Sequence, residues 1–314
     1  MVMSHALVQL LTAKYHEIYM VAPPATVPVA ERMPEIRRVL AIDLPHGQLG
    51  LSKRWQMARL LKSLDFDAAY VLPNSWKSAL FTAFANIPER IGWHGEARYG
   101  LLNRRLRDVS DYPLMIERFM ALADPAGNLI DQPYPLPRLT VDEENQRNCL
   151  KRFDLDPVRV VALCPGAEFG AAKKWPVEHY AELAQSLLEG GSQVWLLGSP
   201  GDAEDCARIT ELTPKVVNLA GKTSLLDAID LLAVCSRVVC NDSGLMHVAC
   251  ALGVPTIGIF GSTSPSFTPP LGEAAQVVEL NMGCRPCFQR ECPLKHRRCL
   301  NDLSPERVLD RIGS

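Results

Sequence analysis

Short apolar runs alternate with longer amphipathic stretches along the whole chain, and this alternation restricts the fold more than any other feature. Chains with this pattern build parallel sheets that are covered by helices. Strand-like runs occupy residues 18–22, 39–42, 68–72, 160–163, 194–197, 216–219, 238–240 and 256–260. Helix-like patterns occupy residues 55–64, 75–85, 114–123, 176–188, 203–212, 225–234 and 244–252. The sequence therefore predicts an α/β protein with Rossmann-like, doubly wound sheets, which bind ligands at the carboxyl ends of their strands.

The length of the chain and the composition of one segment predict two domains. At 314 residues the chain is longer than one ordinary core requires. Residues 125–157 are rich in Pro, Asp and Asn, which is typical of a linker. We therefore expect one domain over residues 1–150 and a second over residues 151–314.

The composition excludes several classes of protein. A net charge of -2 gives no general attraction for nucleic acid, and no apolar run approaches the ~20 residues that span a bilayer. The first residues lack the basic start of a signal peptide. Most cysteines stand singly among apolar neighbours, as in proteins of reducing compartments. The predicted location is the cytoplasm.

One stretch of the first half is locally basic and aromatic. Trp93 and Tyr99 lie among five arginines, which are Arg90, Arg98, Arg104, Arg105 and Arg107. Such a stretch is either a solvated basic face or a surface that binds anions.

The strongest local signal of a ligand site lies in the second half. An apolar run leads into Asn241-Asp242-Ser243-Gly244, and a helix-like pattern follows. Free N–H groups at a helix start attract phosphate, and glycine lets a ligand approach the backbone. Asp242 could accept hydrogen bonds from sugar hydroxyls, and His247 lies one turn beyond Ser243 on the same face. The alternatives are that Asp242 or Ser243 merely caps the helix, and that His247 is structural.

A second signal follows the run at residues 160–163. The loop over residues 164–176 contains Gly166, Gly170 and two lysines, and Lys173 could supply a point charge for a phosphate. Lysines in a loop can also be simply solvated. Residues 220–223 resemble the end of a P-loop. Val216 occupies the position where that motif requires its first glycine, so a P-loop is excluded.

Four cysteines lie close together near the C-terminus, with basic residues between them. A tetrahedral zinc, an iron–sulfur cluster and reduced thiols are all compatible with their spacing, which matches no common zinc finger. The four are Cys284, Cys287, Cys292 and Cys299.

Several long motifs resemble one enzyme family, the ADP-heptose:lipopolysaccharide heptosyltransferases, and most closely its members that add the second heptose. In the second half the motifs cover residues 164–176, 241–247 and 265–271. In the first half they cover residues 70–79 and 92–103. Because these motifs occur in the same order as in the family, the resemblance extends over nearly the whole chain.

The resemblance implies a GT-B architecture, with two Rossmann-like domains that face each other across a cleft. The C-terminal domain would hold ADP-heptose, and the N-terminal domain would hold the inner-core acceptor on Kdo-lipid A, at the inner face of the cytoplasmic membrane. Transfer would be inverting and would require no cofactor. The implied donor contacts are Glu168, Lys173, Thr223, Asp242, Ser243, Gly244 and His247. The implied acceptor contacts are Asn74, Lys77, Arg90, Trp93 and Arg98. The cysteines would then form a structural zinc site away from the chemistry.

The chain departs from the family pattern at its start. The family carries a strand, a Gly-rich turn and a catalytic Asp just before the segment that begins here with Met1-Val2-Met3-Ser4. We therefore expect these elements upstream of Met1, and no residue of the chain is assigned as the catalytic base. The remaining alternatives are a heptosyltransferase for another core position, a non-catalytic nucleotide-sugar-binding protein, and a zinc-ribbon module that contacts nucleic acid. The low net charge argues against the last.

Overall fold

The computed structural model describes residues 1–44, 48–124 and 133–313. Its internal contacts divide the chain into two compact units, Met3–Pro135 and Leu136–Ser314. The sequence-based boundary at residue 150 falls instead inside helix α6 (Glu143–Arg152). This helix packs against α9 (Leu225–Leu232), so it belongs to the C-terminal unit.

The N-terminal unit is an α/β structure with two parallel sheets. Its strands are β1 (Ile18–Ala22), β2 (Ile36–Ala41), β3 (Ala68–Val71), β4 (Glu89–Trp93) and β5 (Arg104–Leu106). Its helices are α1 (His5–Leu11), α2 (Val27–Glu31), α3 (Leu51–Ser63), α4 (Leu80–Phe84) and α5 (Met115–Met120). Strand β1 pairs with β2, and β3, β4 and β5 form the second sheet in that order. Two apolar clusters pack on the strands, one around Leu7 and Ile91 and one around Leu40 and Met57.

The C-terminal unit contains one parallel sheet of six strands. Its strands are β6 (Val160–Cys164), β7 (Gln193–Leu196), β8 (Val217–Asn218), β9 (Arg237–Asn241), β10 (Thr256–Phe260) and β11 (Ala275–Glu279). Its other helices are α7 (Val177–Glu189), α8 (Ala203–Leu212), α10 (Gly244–Ala251), α11 (Arg298–Asn301) and α12 (Pro305–Ile312). The strand order is β11-β10-β9-β6-β7-β8. Every residue of β6 and β10 is buried, as expected where helices cover both faces of a parallel sheet.

The structure confirms the predicted α/β class with parallel sheets and corrects the prediction of a linker over residues 125–157. Helix α6 lies within that segment, whereas residues 125–132 lie outside the described residues. The segment looks like a linker because α6 is mostly polar and, among its residues, only Cys149 is buried. Asp142 caps it by accepting hydrogen bonds from the amides of Glu144 and Asn145, each at 3.0 Å.

None of the helices in the described ranges is long and apolar enough to cross a membrane.

Candidate functional site

Three loops meet at the carboxyl ends of neighbouring strands in the C-terminal unit. Residues 165–175 follow β6, residues 242–243 join β9 to α10, and residues 261–263 follow β10. Because the parallel strands β10, β9 and β6 are neighbours in that order, the three loops lie side by side at the carboxyl end of the sheet. This is where doubly wound sheets bind ligands.

The carboxylate of Asp242 joins two of these loops to its own. Lys173 Nζ lies 2.5 Å from Asp242 Oδ2, and Thr263 Oγ1 donates a hydrogen bond of 2.6 Å to the same oxygen. Asp242 is only 4% exposed and Lys173 14% exposed, so solvent screens the ion pair weakly. Lys173 is thus held at a fixed place with its charge balanced by a single carboxylate.

Asn241 fixes the geometry just before this ion pair. Its side-chain oxygen accepts hydrogen bonds from the Trp175 amide at 3.1 Å and from the Tyr180 hydroxyl at 3.2 Å. Its side-chain amide donates to the carbonyl of Pro165 at 2.6 Å. The buried amide therefore locks the loop that carries Lys173 onto the end of β9.

The N-terminus of α10 is available to a ligand. Ser243 stands at the N-cap, but no side chain caps the helix, which argues against the capping role considered from the sequence. The next residue, Gly244, is exposed, and a Cβ atom placed on it would contact nothing within 4 Å. Free amides beside Lys173 and an open approach to the backbone suit an anionic group such as a diphosphate.

His247 lies one turn into α10 and carries a buried ring nitrogen. Burial lowers the pKa of His247 to about 4, and the nearby Asp242 carboxylate opposes that shift only in part. The ring is therefore neutral at pH 7. Its Nδ1 atom is shielded from solvent and has no hydrogen-bond partner among the described residues. A neutral imidazole ring can accept a hydrogen bond from a sugar hydroxyl at one nitrogen or donate one to a phosphate oxygen from the other.

The two remaining donor residues predicted from the sequence lie at different places. Glu168 is exposed in the loop after β6, the strand next to β9. Thr223 is partly exposed in the turn between β8 and α9. Since β8 is an edge strand with β7 and β6 between it and β9, Thr223 does not join the Lys173–Asp242 group.

Thr263 and Ser262 were not predicted from the sequence. Thr263 bonds Asp242, and the buried hydroxyl of Ser262 has no hydrogen-bond partner among the described residues. Their position was the only signal in the sequence, since two hydroxyl residues stand one glycine beyond the buried strand β10, which is next to β9.

The loop that contains Cys284, Cys287 and Cys292, residues 282–297, packs on this site, and Cys299 lies in the helix α11 that follows it. Arg285 donates hydrogen bonds to the carbonyls of Gly261 at 2.5 Å and Thr263 at 3.2 Å. The carbonyl of Arg290 accepts a hydrogen bond of 3.0 Å from the Ala172 amide. The loop thereby braces both the strand end that carries Thr263 and the segment that carries Lys173.

All four cysteines are free and partly exposed, and they line one small cavity of about 20 Å³. The Arg297 amide donates to the sulfur of Cys292 at 3.4 Å, and this contact lowers the pKa of that thiol. Within the described ranges, however, no group of three or more His, Cys, Asp or Glu side chains is arranged to hold a metal ion. The zinc expected from the sequence therefore stays a prediction.

In the N-terminal unit, three of the five predicted acceptor residues hold the fold together. Trp93 is buried and donates from Nε1 to the Arg118 carbonyl at 2.9 Å. Arg98 is 1% exposed and donates to the carbonyls of Pro73, at 2.8 Å, and Trp93. Arg90 donates to the carbonyls of Leu101 and Ile87, at 2.7 and 2.6 Å. These contacts tie the three side chains to neighbouring loops, although Nε of the buried Arg98 has no hydrogen-bond partner among the described residues.

The other two predicted acceptor residues lie in the loop after β3. Asn74 is exposed and Lys77 is partly exposed, so a ligand could reach both.

Comparison with known proteins identifies the family. The model of glycosyltransferase family 9 (heptosyltransferase) matches residues 54–297, which is more than half of the chain. This chain belongs to glycosyltransferase family 9. The chain is 43% identical over 328 residues to lipopolysaccharide heptosyltransferase 2 of Escherichia coli K12, covering 100% of this chain and 94% of that protein. It is 40% identical over 329 residues to lipooligosaccharide heptosyltransferase 2 of Haemophilus influenzae, covering 100% of this chain and 95% of that protein.

The fold agrees with a solved structure of the same family. The structure of E. coli ADP-heptose lps heptosyltransferase II matches with a TM-score of 0.88 and 41% identity, over 100% of this chain and 94% of that one. As a family 9 member the chain is a glycosyltransferase of the GT-B-like α/β class. The family assignment confirms the resemblance on which the sequence-based function rested.

Proposed function

We propose that this family 9 enzyme transfers heptose from ADP-L-glycero-D-manno-heptose onto the lipopolysaccharide inner core. The acceptor is heptosyl-Kdo-lipid A, so the enzyme adds the second heptose. The C-terminal unit binds the donor and the N-terminal unit binds the acceptor. Full-length identity of 43% to lipopolysaccharide heptosyltransferase 2 of E. coli supports this substrate pair.

The ion pair of Lys173 and Asp242 beside the uncapped start of α10 is the main structural support for this function. Together they place one fixed cation and a set of free backbone amides at the carboxyl end of β9. A nucleoside diphosphate fits both features because its two phosphates can contact the cation and the amides together. Ser243, Gly244 and His247 line the same helix start and provide contacts to the phosphates and the heptose.

The chemistry follows from where charge develops. As the bond between the anomeric carbon and ADP breaks, negative charge builds on the departing diphosphate while the sugar becomes oxocarbenium-like. Groups fixed before the reaction stabilise that charge without reorganising, and they lower the barrier more than they strengthen ground-state binding. Lys173 and the α10 amides are held by Asp242, Asn241 and the sheet, so they meet this requirement.

The acceptor hydroxyl attacks from the face opposite to ADP, so the anomeric configuration inverts. A base must take the hydroxyl proton. No residue of the chain is assigned to this step.

We place the reaction at the cytoplasmic face of the inner membrane. The acceptor is a lipid, whereas the donor is a nucleotide sugar, so the enzyme works as a peripheral protein where the two meet. The absence of a membrane-crossing helix from the described residues is compatible with this arrangement.

Titration calorimetry with ADP tests the donor site. Lys173→Ala should weaken ADP binding by about 10- to 100-fold, because a charge-assisted hydrogen bond contributes ~1.5–3 kcal/mol. Lys174→Ala is the matched control, since Lys174 pairs with Asp205 at 2.7 Å and stands one residue away. Equal loss in both variants would mean that the fold of the loop, rather than the cation at residue 173, determines binding.

We also propose a structural zinc at Cys284, Cys287, Cys292 and Cys299. The convergence of four free thiols on one small cavity, among basic side chains that would offset thiolate charge, supports it. Elemental analysis of protein purified without added metal should find close to one zinc per chain, and changing Cys292 and Cys299 to Ser should abolish it. A metal content near zero in the unaltered protein would refute this site.

A further inference from the structure

An exposed aromatic and cationic patch occupies the carboxyl end of the second sheet in the N-terminal unit. Trp76 follows β3 and Tyr99 follows β4, and these strands are parallel neighbours. Trp76 is 40% exposed and Tyr99 is 62% exposed. We call Trp76, His94, Tyr99 and Arg105 the Tyr99 surface. Single exposed aromatic residues are common, so the patch needs further evidence before it suggests a ligand.

The first such evidence is a cation held against the Tyr99 ring. The Arg105 guanidinium carbon lies 4.3 Å from the ring centroid, within the range of a cation–π contact. His94 Nε2 lies 3.1 Å from the Tyr99 hydroxyl, with the two ring centroids 5.9 Å apart. The surface thus joins an aromatic ring to a guanidinium group and an imidazole ring, two groups that can bind an anion.

A second observation is that one guanidinium nitrogen of Arg105 makes no hydrogen bond among the described residues. This nitrogen, Nη1, is shielded from solvent. A shielded guanidinium donor without an acceptor costs free energy that a bound anion would recover. Arg105 therefore differs from Arg90, whose guanidinium donates to the carbonyls of Leu101 and Ile87.

The third evidence is that the loops under the surface are fixed in advance. The buried Arg98 guanidinium bonds the carbonyls of Pro73 and Trp93, and so ties the loop after β3 to the loop after β4. Glu96 Oε2 accepts a hydrogen bond of 2.9 Å from the Trp76 amide. Glu96 and Ala97 adopt φ values of 39° and 49°, which residues other than glycine rarely adopt. Such backbone persists where the surroundings enforce it, and it clusters at binding sites.

We propose that the Tyr99 surface binds the acceptor of the transfer reaction, an anionic saccharide. The Tyr99 ring packs against the apolar face of a sugar ring, and Arg105 and His94 bind a phosphate or carboxylate on it. Pairing an aromatic surface with a few fixed polar groups is the usual composition of a small-ligand site. The proposal rests on the proposed function, and it replaces buried Trp93 and Arg98 with exposed neighbours as the contacting residues.

The test compares variants of the full chain in two binding titrations, one with ADP and one with a deacylated heptosyl-Kdo saccharide in phosphorylated and unphosphorylated forms. Tyr99→Ala and Arg105→Gln should each weaken saccharide binding by ~10-fold or more while ADP affinity stays within about twofold. Tyr99→Phe should bind the saccharide nearly as well as the unaltered protein because it keeps the ring. A larger effect of Arg105→Gln with the phosphorylated form identifies phosphate as the anion, and an equal effect identifies the sugar carboxylate.

Two controls separate contact from general effects. Trp55→Ala removes another exposed aromatic side chain, in α3, and should leave saccharide binding unchanged. Arg107→Gln removes an exposed charge two residues from Arg105 and should have a much smaller effect than Arg105→Gln. Circular dichroism and thermal unfolding that match those of the unaltered protein show that the N-terminal unit of a variant is folded.

The proposal is overturned if Tyr99→Ala and Arg105→Gln bind the saccharide as tightly as the unaltered protein, or if Arg107→Gln weakens it equally. It is also overturned if the unaltered protein binds ADP but neither form of the saccharide. Failure to bind ADP would instead count against the proposed function itself.

Discussion

A single carboxylate connects the residues of the proposed donor site. Asp242 Oδ2 contacts both Lys173 and Thr263, which belong to the loops on either side of it. Removing the carboxylate would therefore release a cation and a hydroxyl together. The position of Lys173 depends on a residue that need not touch the ligand's phosphates.

The lowered pKa of His247 predicts that the free energy of unfolding depends on pH. Because burial lowers its pKa from 6.5 to about 4, the folded protein favours the neutral ring, whereas the unfolded chain takes up a proton below about pH 6.5. The neutral ring of His247 thereby contributes ~3 kcal/mol at most to the free energy of unfolding. This stabilisation is complete above pH 6.5 and is lost as the pH falls towards 4.

Denaturant unfolding at several pH values measures this effect. Between pH 7 and pH 4.5 the unaltered protein should lose more free energy of unfolding than His247→Gln, which cannot titrate. Parallel losses in the two proteins would show that His247 is not the group responsible.

The sequence predicted residues whose role follows from the local chain. Lys173, Asp242 and Gly244 stand next to strand ends in recognisable motifs, and the structure brings Lys173 and Asp242 together. Thr263 was missed because its role depends on a contact across 21 residues of sequence. The burial of Arg98 was missed for a similar reason, since an arginine in a basic stretch gives no sign that backbone carbonyls surround it.

At the scale of elements, polar contacts fasten α6 to the C-terminal unit. Asp227 in α9 accepts hydrogen bonds from Arg152 at 2.8 Å and Asn145 at 3.2 Å, and from the Ser224 amide at 2.9 Å. Burial alone would raise the pKa of Asp227, but the hydrogen bonds from Ser224 and Arg152 outweigh it and lower the pKa below its usual value of 3.8. The ionised carboxylate therefore stabilises the folded protein at pH 7.

Asp227→Ala should lower the free energy of unfolding by ~1–3 kcal/mol, because it removes a helix cap and leaves several donors without an acceptor. Glu143→Ala is the control from α6, where an exposed ion pair with Arg147 contributes little. Thermal or denaturant unfolding of both variants at pH 7 measures the difference. Equal stability of Asp227→Ala and the unaltered protein would contradict the account of how α6 is held.

Elements with strong apolar patterns were predicted more successfully than polar ones. Strand β10 and helix α8 begin and end at the predicted residues. Strands β4 and β5 and helix α6 were missed because charged residues interrupt their apolar positions. Their stability comes from pairing with neighbouring strands or from side-chain bonds across the fold, which periodicity does not reveal.

At the scale of the whole molecule, the sequence predicted two α/β units and the family. The two units meet between Pro135 and Leu136 and not at the predicted residue 150, because α6 packs on the C-terminal unit although it follows a segment rich in proline. Each unit presents a candidate ligand surface at the carboxyl ends of its strands, an anion site around Lys173 and the Tyr99 surface. A two-substrate transferase requires one surface for each substrate.

Heptose transfer can be measured directly. The full chain is incubated with ADP-heptose and heptosyl-Kdo-lipid A, and mass spectrometry follows the addition of one heptose to the acceptor. We expect transfer from ADP-heptose and much less from UDP- or GDP-sugars. Lys173→Ala should lower the rate by ~10²-fold or more, since a fixed donor to the leaving group contributes several kcal/mol in the transition state, whereas Lys174→Ala should stay close to the unaltered enzyme. Transfer from a UDP- or GDP-sugar as fast as from ADP-heptose, or a Lys173→Ala variant as fast as the unaltered enzyme, would contradict these expectations.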